Sequence, residues 1–338
     1  MYSVAVVILN YNGKHFLEKF LPSVITYSIG SQIIVADNKS TDGSIEYLQQ
    51  NFPTIEIIRL IRNEGYSQGY NLALQQIKAT YYILLNSDVE VTPNWLNPLI
   101  ALMESDSQIA ACQPKIKSYS DKRAFEYAGA AGGYIDKYGY PFCRGRLFSH
   151  VEIDNGQYND TREVFWATGA CMVVRAELFW LLGGLDPHFF AHMEEIDLCW
   201  RIKNAGYKII YCAESTVFHV GGGTLPVSNP RKTFLNFRNG IVLLYKNLPE
   251  DQLWRIIFIR LVLDGVAAIQ FLLTFSFANF AAVFKAHMSF YKNISVWKQQ
   301  RKKSIRLAKG FAHEEIYKKS IVYSFFIEKK RTFKQLKF

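Results

Sequence analysis

Residues 81–88 read YYILLNSD, an apolar run that ends abruptly in Asn86, Ser87 and Asp88. Three similar apolar runs precede it and also end in polar residues: VAVVIL at 4–9, QIIVA at 32–36 and IEIIRL at 55–60. Amphipathic helical patterns lie between these runs. The alternation predicts an α/β fold with a mostly parallel sheet flanked by helices on both faces. Ligands bind beyond the carboxyl ends of such strands, so the polar ends predict a site.

The composition is that of a globular protein. The chain has 338 residues, of which 49% are hydrophobic and 20% charged, which excludes a disordered, collagen-like or disulfide-scaffold protein. Its five cysteines form no C-x-x-C pair, so a reducing cytosol is expected. The first residues, MYSVAVVILNYNG, reach polar Asn10 too soon for a signal peptide.

Charge separates the chain into two parts. The formal net charge of +10 indicates an anionic partner: nucleic acid, a phosphate-bearing substrate or an acidic membrane surface. Residues 285–338 hold 15 Lys and Arg against 3 Asp and Glu, which leaves 24 basic and 26 acidic residues elsewhere. The tail also contains interleaved aromatic residues, which can stack on bases or lie at a lipid interface. Because an apolar stretch precedes the tail, an anionic membrane surface is the favoured partner, and no nucleic acid is expected.

The apolar stretch covers residues 256–284. It exceeds the roughly 20 residues that span a bilayer, but Arg260 and Asp264 interrupt it, and charges inside a membrane are costly. An interfacial helix pair that breaks near 276–279 is favoured, and packing onto the catalytic part is the alternative. Upstream, residues 118–163 are rich in Gly, Tyr and charge and predict a long loop.

Three positions carry candidate chemistry. Asp37 follows a strand, where its carboxylate can accept from a base N–H or a ribose hydroxyl, or can cap the next helix. Asp88 can hold a hard divalent cation that completes its shell with substrate phosphates, or can form an Asx-turn. The first turn of a predicted helix contains Glu194, Glu195 and Asp197, and the helix dipole favours anions there. These acids can supply a general base, or they can be the solvated start of the helix.

Seven motifs occur in order over residues 5–224: VVILNYN, VADNKSTDGS, IRNEGYSQGYNLAL, LLNSDVEV, FWATGACMVVR, GGLDPHFFAHMEEIDLCWRIKNAGY and FHVGGGT. Together they resemble family 2 glycosyltransferases of the A-type nucleotide-diphospho-sugar transferase fold, near the rhamnosyltransferase-like branch. The resemblance implies inverting transfer of a sugar from a nucleoside-diphosphate donor to a hydroxyl of a lipid-linked or polysaccharide acceptor in cell-surface glycan synthesis. It also implies a divalent cation, Mg²⁺ or Mn²⁺.

The same resemblance assigns residues to the donor end. The nucleotide-binding positions are Asn10, Tyr11, Asp37, Asn63, Gly65, Asn71 and Asn86. Asn86 replaces the first acid of the family's D-x-D motif, so Asp88 is the implied metal ligand. His219, which precedes a run of glycines, is implied as a second contact to the metal or the diphosphate.

At the acceptor end, Glu195 matches the family's general base, and Glu194 is the alternative. Asp197 is implied to position the acceptor or a neighbouring loop. The resemblance places Trp166, Gly169 and Ala170 along the donor-sugar pocket or the acceptor entrance, with core packing as the alternative.

The chain is accordingly divided into a catalytic domain over 1–240 and an apolar, basic, helical extension over 241–338 that associates with the membrane. The nucleotide half of the catalytic domain covers about 1–115 and the acceptor half about 116–240. The expected location is cytoplasmic, peripheral on the cytoplasmic face of the membrane.

Two other functions are weighed. A nucleotidyltransferase would need a Gly-rich, basic loop after the first strand, where NYNGKHF supplies only Gly13 and Lys14. A nucleic-acid-binding protein would use the basic tail, but it would leave the acids at 194–197 unexplained.

Overall fold

The computed structural model describes residues 3–221 and 229–338. Strands and helices alternate in its first part as β1 (Val4–Asn10), α1 (Lys14–Tyr27), β2 (Gln32–Asp37), α2 (Ser44–Asn51), β3 (Glu56–Arg59), α3 (Gly65–Leu74), β4 (Tyr81–Asn86), β5 (Val89–Val91), α4 (Leu96–Ser105) and β6 (Ile109–Ser118). Short strands follow as β7 (Gly133–Asp136), β8 (Pro141–Cys143), β9 (Arg146–Leu147), β10 (His150–Val151) and β11 (Arg162–Glu163). The chain continues with β12 (Cys171–Arg175), α5 (Ala176–Leu181), α6 (Glu194–Asn204) and β13 (Lys208–His219).

The central sheet has the strand order β11-β13-β6-β12-β4-β1-β2-β3, with β5 paired to β13. Strands β4, β1, β2 and β3 are parallel, as the alternation of apolar strands and amphipathic helices predicted. Strand β12 inserts antiparallel between β4 and β6, so the other half of the sheet is mixed. The carboxyl ends of β1, β2 and β4 therefore meet at one edge of the sheet.

Each face of the sheet has its own core. Val4, Val6 and Ile8 of β1 pack in the cluster that contains α1 and α4, whereas Ala5 and Val7 pack in the cluster that contains α3 and α6. Alternate residues of a strand point to opposite faces, so a strand that is covered on both sides is apolar throughout. The predicted α/β fold with helices on both faces is confirmed.

The prediction of a long loop over 118–163 is wrong. A second sheet forms there, with the order β10-β9-β8-β7-β14, and its last strand, β14 (Ile316–Tyr317), comes from the far end of the chain. Strands of two to four residues carry too little periodicity to stand out in a sequence. Their pairing also depends on a partner about 180 residues away, which no local pattern shows.

The extension is helical, as predicted. It consists of α7 (Pro230–Asn247), α8 (Glu250–Leu273), α9 (Phe277–Lys292), α10 (Ile294–Arg306) and α11 (Ile321–Phe326). Helix α7 continues through residue 240 and packs against α6, α8, α9 and α10. By length and composition, α8 could cross a membrane.

The aromatic residues of the basic tail are only partly available to a partner. Phe290, Trp297, Tyr317 and Phe325 are buried. Phe333 packs on Tyr134 with a ring-centroid separation of 4.8 Å. For the four buried rings, the prediction that they stack on bases or lie at a lipid interface is wrong, because they attach the tail to the rest of the fold.

We predict that Gly133→Ala destabilises the fold. Trp166 lies over Gly133, and a Cβ at that position would be 2.1 Å from the indole ring. Forcing a large buried ring to move costs about 1–3 kcal/mol of the free energy of unfolding. Denaturant unfolding measures the loss.

Gly265→Ala is the matched control for Gly133→Ala. This glycine lies inside α8, and among the described residues no neighbouring atom lies within 4 Å of the position that its Cβ would take. Alanine should therefore stabilise the helix by about 0.5–1 kcal/mol. Equal effects of the two substitutions would contradict the packing of Trp166 on Gly133.

Candidate functional site

The ends of β1 and β2 form a buried polar network. Asn10 Nδ2 donates to Asp37 Oδ1 at 3.2 Å and to Ser40 Oγ at 3.1 Å. The Ser40 backbone N–H donates to Asp37 Oδ2 at 3.0 Å. Asn10 and Asp37 are paired in the register of the two parallel strands, which brings their side chains together. Tyr11 follows them and is 49% exposed, so its ring can receive a planar ligand.

The turn after β3 adds Asn63 and Gly65 to this edge. Asn38 Nδ2 donates to Asn63 Oδ1 at 3.1 Å, and the Gly65 N–H donates to the same oxygen at 2.9 Å. Gly65 has a φ of +74°, and a Cβ there would lie 2.7 Å from the Phe190 ring. Only glycine fits this position. Because Gly65 has no side chain, the loop that contains Phe190 can lie close to it, and the Tyr66 N–H donates to Phe190 O at 2.9 Å.

Asn71 is not brought to the strand ends. Its Nδ2 donates to Leu185 O at 2.6 Å, and its Oδ1 accepts from the Leu185 N–H at 3.1 Å. Both ends of the amide are therefore engaged with the turn that precedes the acidic loop. The nucleotide contact of Asn71 stays a prediction, and in this structure its side chain holds the backbone of Leu185.

Asp88 and His219 meet because β5 pairs with β13. His219 lies opposite Val89 in the register, which places the imidazole beside Asp88. His219 Nε2 is 3.1 Å from Asp88 Oδ1, and its Nδ1 is 3.3 Å from Glu126 Oε2. Burial lowers the pKa of His219, but contacts with Asp88 and Glu126 outweigh burial and raise it to about 10. Gly222 and Gly223, which follow His219 in the sequence, lie outside the described residues.

Glu126 is a residue of this group that sequence reasoning missed. It lies in the stretch predicted as a loop and is 6% exposed. The Ala128 N–H donates to its Oε2, and a Cβ on Gly221 would lie 2.6 Å from its Oε1. Within residues 3–221 and 229–338, no group of three His, Cys, Asp or Glu side chains is arranged to hold one ion. Asp88 and His219, the two metal contacts that the resemblance implies, lie side by side. Glu126 lies at the other ring nitrogen of His219.

The loop before Glu194 has an unusual backbone conformation, with several non-glycine residues at positive φ. Phe190, His192 and Met193 have φ values of 65°, 69° and 73°, and α6 starts directly after them. These left-handed residues turn the chain so that Glu194 and Glu195 point inward. Burial lowers the pKa of His192 to about 4, so its ring is neutral at pH 7.

Glu194 and Glu195 are an unneutralised carboxyl pair. Among the described residues, neither Oε2 atom has a hydrogen-bond partner, although both atoms are buried. Burial and the charge of Glu195 raise the pKa of Glu194 well above its usual range. Burial raises the pKa of Glu195 to about 7. Both carboxyls therefore keep their protons to higher pH than an exposed glutamate does, and Glu195 changes protonation state near neutral pH.

Asp197 faces a different set of groups. Its carboxylate is 0% exposed and accepts from Arg201 Nε at 3.0 Å, Lys246 Nζ at 2.8 Å and Asn247 Nδ2 at 2.9 Å. These contacts use both oxygens of the side chain. Asp197 therefore joins α6 to α7.

Tyr66, which sequence reasoning also missed, links the two ends of the site. Its hydroxyl donates to Gly169 O at 2.7 Å. Burial raises its pKa well above the usual range, with smaller effects from Tyr70 and from the charges of Glu194 and Glu195. The Asn86 N–H donates to Ala170 O at 3.0 Å, so the Gly169–Ala170 segment lies between the donor strand end and the acidic pair.

Trp166 belongs to the core around Gly133. It is 3% exposed, and its Nε1 donates to Tyr134 O at 2.8 Å. Trp166 therefore has the surroundings of a core residue, as the packing alternative expects. Gly169 and Ala170 contact the polar site through Tyr66 and the Asn86 N–H.

Helix α7 holds the acidic loop from the extension side. Asn239 Nδ2 lies within hydrogen-bond distance of the carbonyls of Phe189 at 3.2 Å, Ala191 at 3.0 Å and His192 at 2.7 Å. Arg238 Nη2 donates to His188 O at 2.9 Å and Phe189 O at 3.0 Å. The left-handed backbone before Glu194 is fixed by these groups.

Comparison with known proteins supports a common architecture. The family model described as "Glycosyl transferase family 2" matches residues 5–183. The N-acetylglucosaminyl-diphospho-decaprenol L-rhamnosyltransferase of Mycobacterium tuberculosis is 26% identical over 63% of this chain and 75% of that protein. Rhamnosyltransferase WbbL of Escherichia coli is 25% identical over 64% of this chain and 83% of that protein.

Solved structures share the fold. GalNAc-T7 with UDP, GalNAc and Mn²⁺ aligns with a TM-score of 0.55 and 21% identity over 73% of this chain and 48% of that one. The mannosyltransferase PcManGT of Pyrobaculum calidifontis, in complex with GDP-Man and Mn²⁺, aligns with a TM-score of 0.51 and 13% identity over 91% of this chain and 86% of that one.

We predict that Asn239→Ala loosens the acidic loop. The substitution leaves the part-buried carbonyls of Ala191 and His192 without this donor, which should cost about 1–3 kcal/mol of the free energy of unfolding. It should also speed hydrogen exchange at the start of α6. Asn51→Ala is the control, because the Asn51 amide makes an exposed bond to Tyr47 O. Unchanged exchange at residues 190–196 in Asn239→Ala would contradict the holding role.

Proposed function

Because this chain belongs to glycosyl transferase family 2 and resembles its rhamnosyltransferases, we propose that its site transfers a sugar from a nucleoside diphosphate to an acceptor hydroxyl. The observation that carries the reaction is the unneutralised pair Glu194 and Glu195, which lies across Gly169–Ala170 from the polar strand ends. Such transfer needs a group that accepts the hydroxyl proton and a means of neutralising the leaving diphosphate.

The nucleotide binds at the ends of β1 and β2 in this proposal. Asp37 accepts from the base or the ribose, and Asn10 orients its carboxylate through the 3.2 Å hydrogen bond. Tyr11 stacks on the base with its exposed ring. Asn63 and Gly65 shape the turn beside the nucleotide, and Asn86 offers a neutral amide close to the diphosphate.

Asp88 and His219 suit a divalent cation. A carboxylate oxygen and an imidazole nitrogen lie 3.1 Å apart there, and the proton that Asp88 and Glu126 hold on His219 would have to leave as the cation binds. Mg²⁺ or Mn²⁺ commonly takes few protein ligands plus substrate phosphates. When bound, the cation supplies Lewis-acid stabilisation of the negative charge on the diphosphate. The solved neighbours that contain Mn²⁺ agree with the use of a divalent cation.

Glu195 is the proposed base, and Glu194 remains protonated beside it. The two environments separate the pKa values of the pair, which distinguishes an acid from a base at neutral pH. Glu195 takes the proton of the acceptor hydroxyl as the acceptor oxygen bonds to the anomeric carbon. The bond from that carbon to the diphosphate breaks, and its electron pair leaves with the diphosphate. The configuration at the anomeric carbon is inverted.

The acceptor is proposed to be lipid-linked or a polysaccharide. The named relative from M. tuberculosis acts on a decaprenol-linked sugar, which supports a lipid-linked acceptor here. We propose that residues 1–240 are the catalytic domain and that the extension over 241–338 holds it peripherally on the cytoplasmic face of a membrane. The basic excess of the tail favours anionic lipid.

The proposed function is tested by donor turnover. The purified full chain should hydrolyse or transfer from at least one of the dTDP-, UDP- and GDP-sugars when Mn²⁺ or Mg²⁺ is present, and chelation should reduce the rate. Failure to bind or turn over any donor would contradict the proposal.

Glu195→Gln should lower kcat about 10²–10⁴-fold with little change in donor affinity. In the unmodified protein, the rate should rise with pH through about 7, because only the deprotonated carboxyl is a base. Glu194→Gln should retain most activity, since a neutral amide replaces a neutral acid. Glu177→Gln, at an exposed helix start, is the control. Reversed effects at 194 and 195 would reverse their roles.

Glu126→Gln should weaken Mn²⁺ binding about 10–100-fold, because a carboxylate on one ring nitrogen orients a histidine ligand and increases its basicity. Electron paramagnetic resonance of free Mn²⁺, in the presence of the nucleoside diphosphate, measures the affinity. Glu152→Gln is the matched control, since Glu152 is a buried glutamate that contacts Tyr158 and Phe333. Equal Mn²⁺ affinity in both variants would rule out the orienting role of Glu126.

A further inference from the structure

Helices α8 and α9 carry a large apolar surface that faces away from the protein. Among the described residues, 25 large hydrophobic side chains are exposed, and 14 of them lie between Trp254 and Ile294. The most exposed are Phe258 at 68%, Leu273 at 73%, Phe275 at 80% and Phe284 at 66%. A patch this concentrated is typical of an interaction surface.

The charged residues inside this stretch point toward the protein. Between Arg255 and Lys285 the sequence has two charged residues, Arg260 and Asp264, and both are buried. Arg260 Nε donates to Asp264 Oδ1 at 2.8 Å, and Tyr140 Oη donates to the same oxygen at 3.1 Å. Arg260 also donates to Gly139 O at 3.2 Å. These bonds to the β7–β8 turn fix the rotation of α8, so its apolar side faces outward.

The far end of α8 has no buried residue, and α9 beside it is joined to α7 by the 2.7 Å hydrogen bond from Thr233 Oγ1 to Asn279 Oδ1. Asp264 is the last buried residue of α8, and nine residues follow it to Leu273. At 1.5 Å per residue this far end is about 14 Å long, roughly half of a 30 Å hydrocarbon core. It therefore has the length to enter one leaflet, but it is too short to cross a bilayer while Arg260 and Asp264 remain in their buried contacts.

Side chains suited to the membrane interface lie farther from the turn between the helices. Trp254 and Tyr291 are 57% and 49% exposed, and aromatic residues of this kind favour the headgroup level. Arg255, Lys285 and Lys292 are exposed near them and can meet lipid phosphates. Of the acids in the first turn of α8, Glu250 pairs with Arg301 at 2.7 Å.

We propose that residues 265–278, the hairpin tip, insert into one leaflet of an anionic bilayer without crossing it, with the exposed Lys285 near the lipid phosphates. The proposal specifies how the membrane association in the proposed function is achieved, and it rests on that association. An interfacial hairpin of this kind buries its apolar face while the folded body stays in water.

Vesicle flotation tests the insertion. The full chain should float with vesicles of phosphatidylcholine and phosphatidylglycerol, and the triple variant Leu273→Ser, Phe275→Ser, Phe277→Ser should bind at least tenfold less. The control is Ile29→Ser, Ile61→Ser, which removes residues that are 88% and 93% exposed on the catalytic domain. Equal flotation of the tip variant and the control would overturn the proposal.

Donor hydrolysis separates this proposal from the proposed function. The tip variant should keep the hydrolysis rate of the unmodified chain, since no substituted residue belongs to the site. Sedimentation gives the oligomeric state in the absence of vesicles. If the tip substitutions dissociate an oligomer and leave flotation unchanged, a second copy covers this face and the membrane proposal is wrong.

Thiol labelling of Phe275→Cys determines the depth. All five native cysteines are buried, so the new thiol is the accessible one among the described residues. A membrane-impermeant maleimide should fail to label it on sealed vesicles, whether the reagent is outside or trapped inside. Labelling from inside would show a membrane span, and labelling from outside would show that the tip stays in water. Either result would overturn the proposal.

Discussion

The buried carboxylate of Asp197 is the contact on which the arrangement of the molecule depends. It binds Arg201 within α6 and Lys246 and Asn247 on α7, and Lys246 also binds Asp186 at 2.6 Å. Removing one member of such a group leaves an uncompensated buried charge, which costs several kcal/mol. The catalytic helix and the extension are therefore held together, and the acidic loop between Asp186 and Asp197 is fixed at both ends.

This connection explains why α7, which runs from the catalytic domain into the extension, contributes to the site. Asn239 and Arg238 lie on α7, but their side chains bind the carbonyls that shape the backbone before Glu194. On the other side, Gly65 and Tyr66 contact Phe190 of the same loop. The loop is thus shared by the donor-side turn and the extension, and its left-handed residues depend on both.

Sequence reasoning predicted the parts whose signals are local. Continuous apolar strands indicated burial on both faces, and polar strand ends indicated the edge at which Asn10, Asp37 and Asp88 lie. It missed Glu126, because that residue lies in a stretch without clear strand periodicity and its partner His219 is distant in sequence. It missed Tyr66, because a tyrosine at a helix start has no distinguishing pattern until Gly169 is placed beside it. The partners of Asn71 and Asp197 in the fold could not be predicted, because they are distant in sequence.

Strand β14 has a consequence for the order in which the protein is made. Its partner β7 is complete near residue 136, but residues 316–317 leave the ribosome last among the elements of the second sheet. The α8–α9 hairpin emerges earlier, while this sheet still lacks a strand and α10 is only beginning to appear. Domains generally fold as units during synthesis, so for an interval the nascent chain exposes an apolar hairpin beside an incomplete domain. A nearby membrane would shelter that surface during synthesis as well as in the finished enzyme.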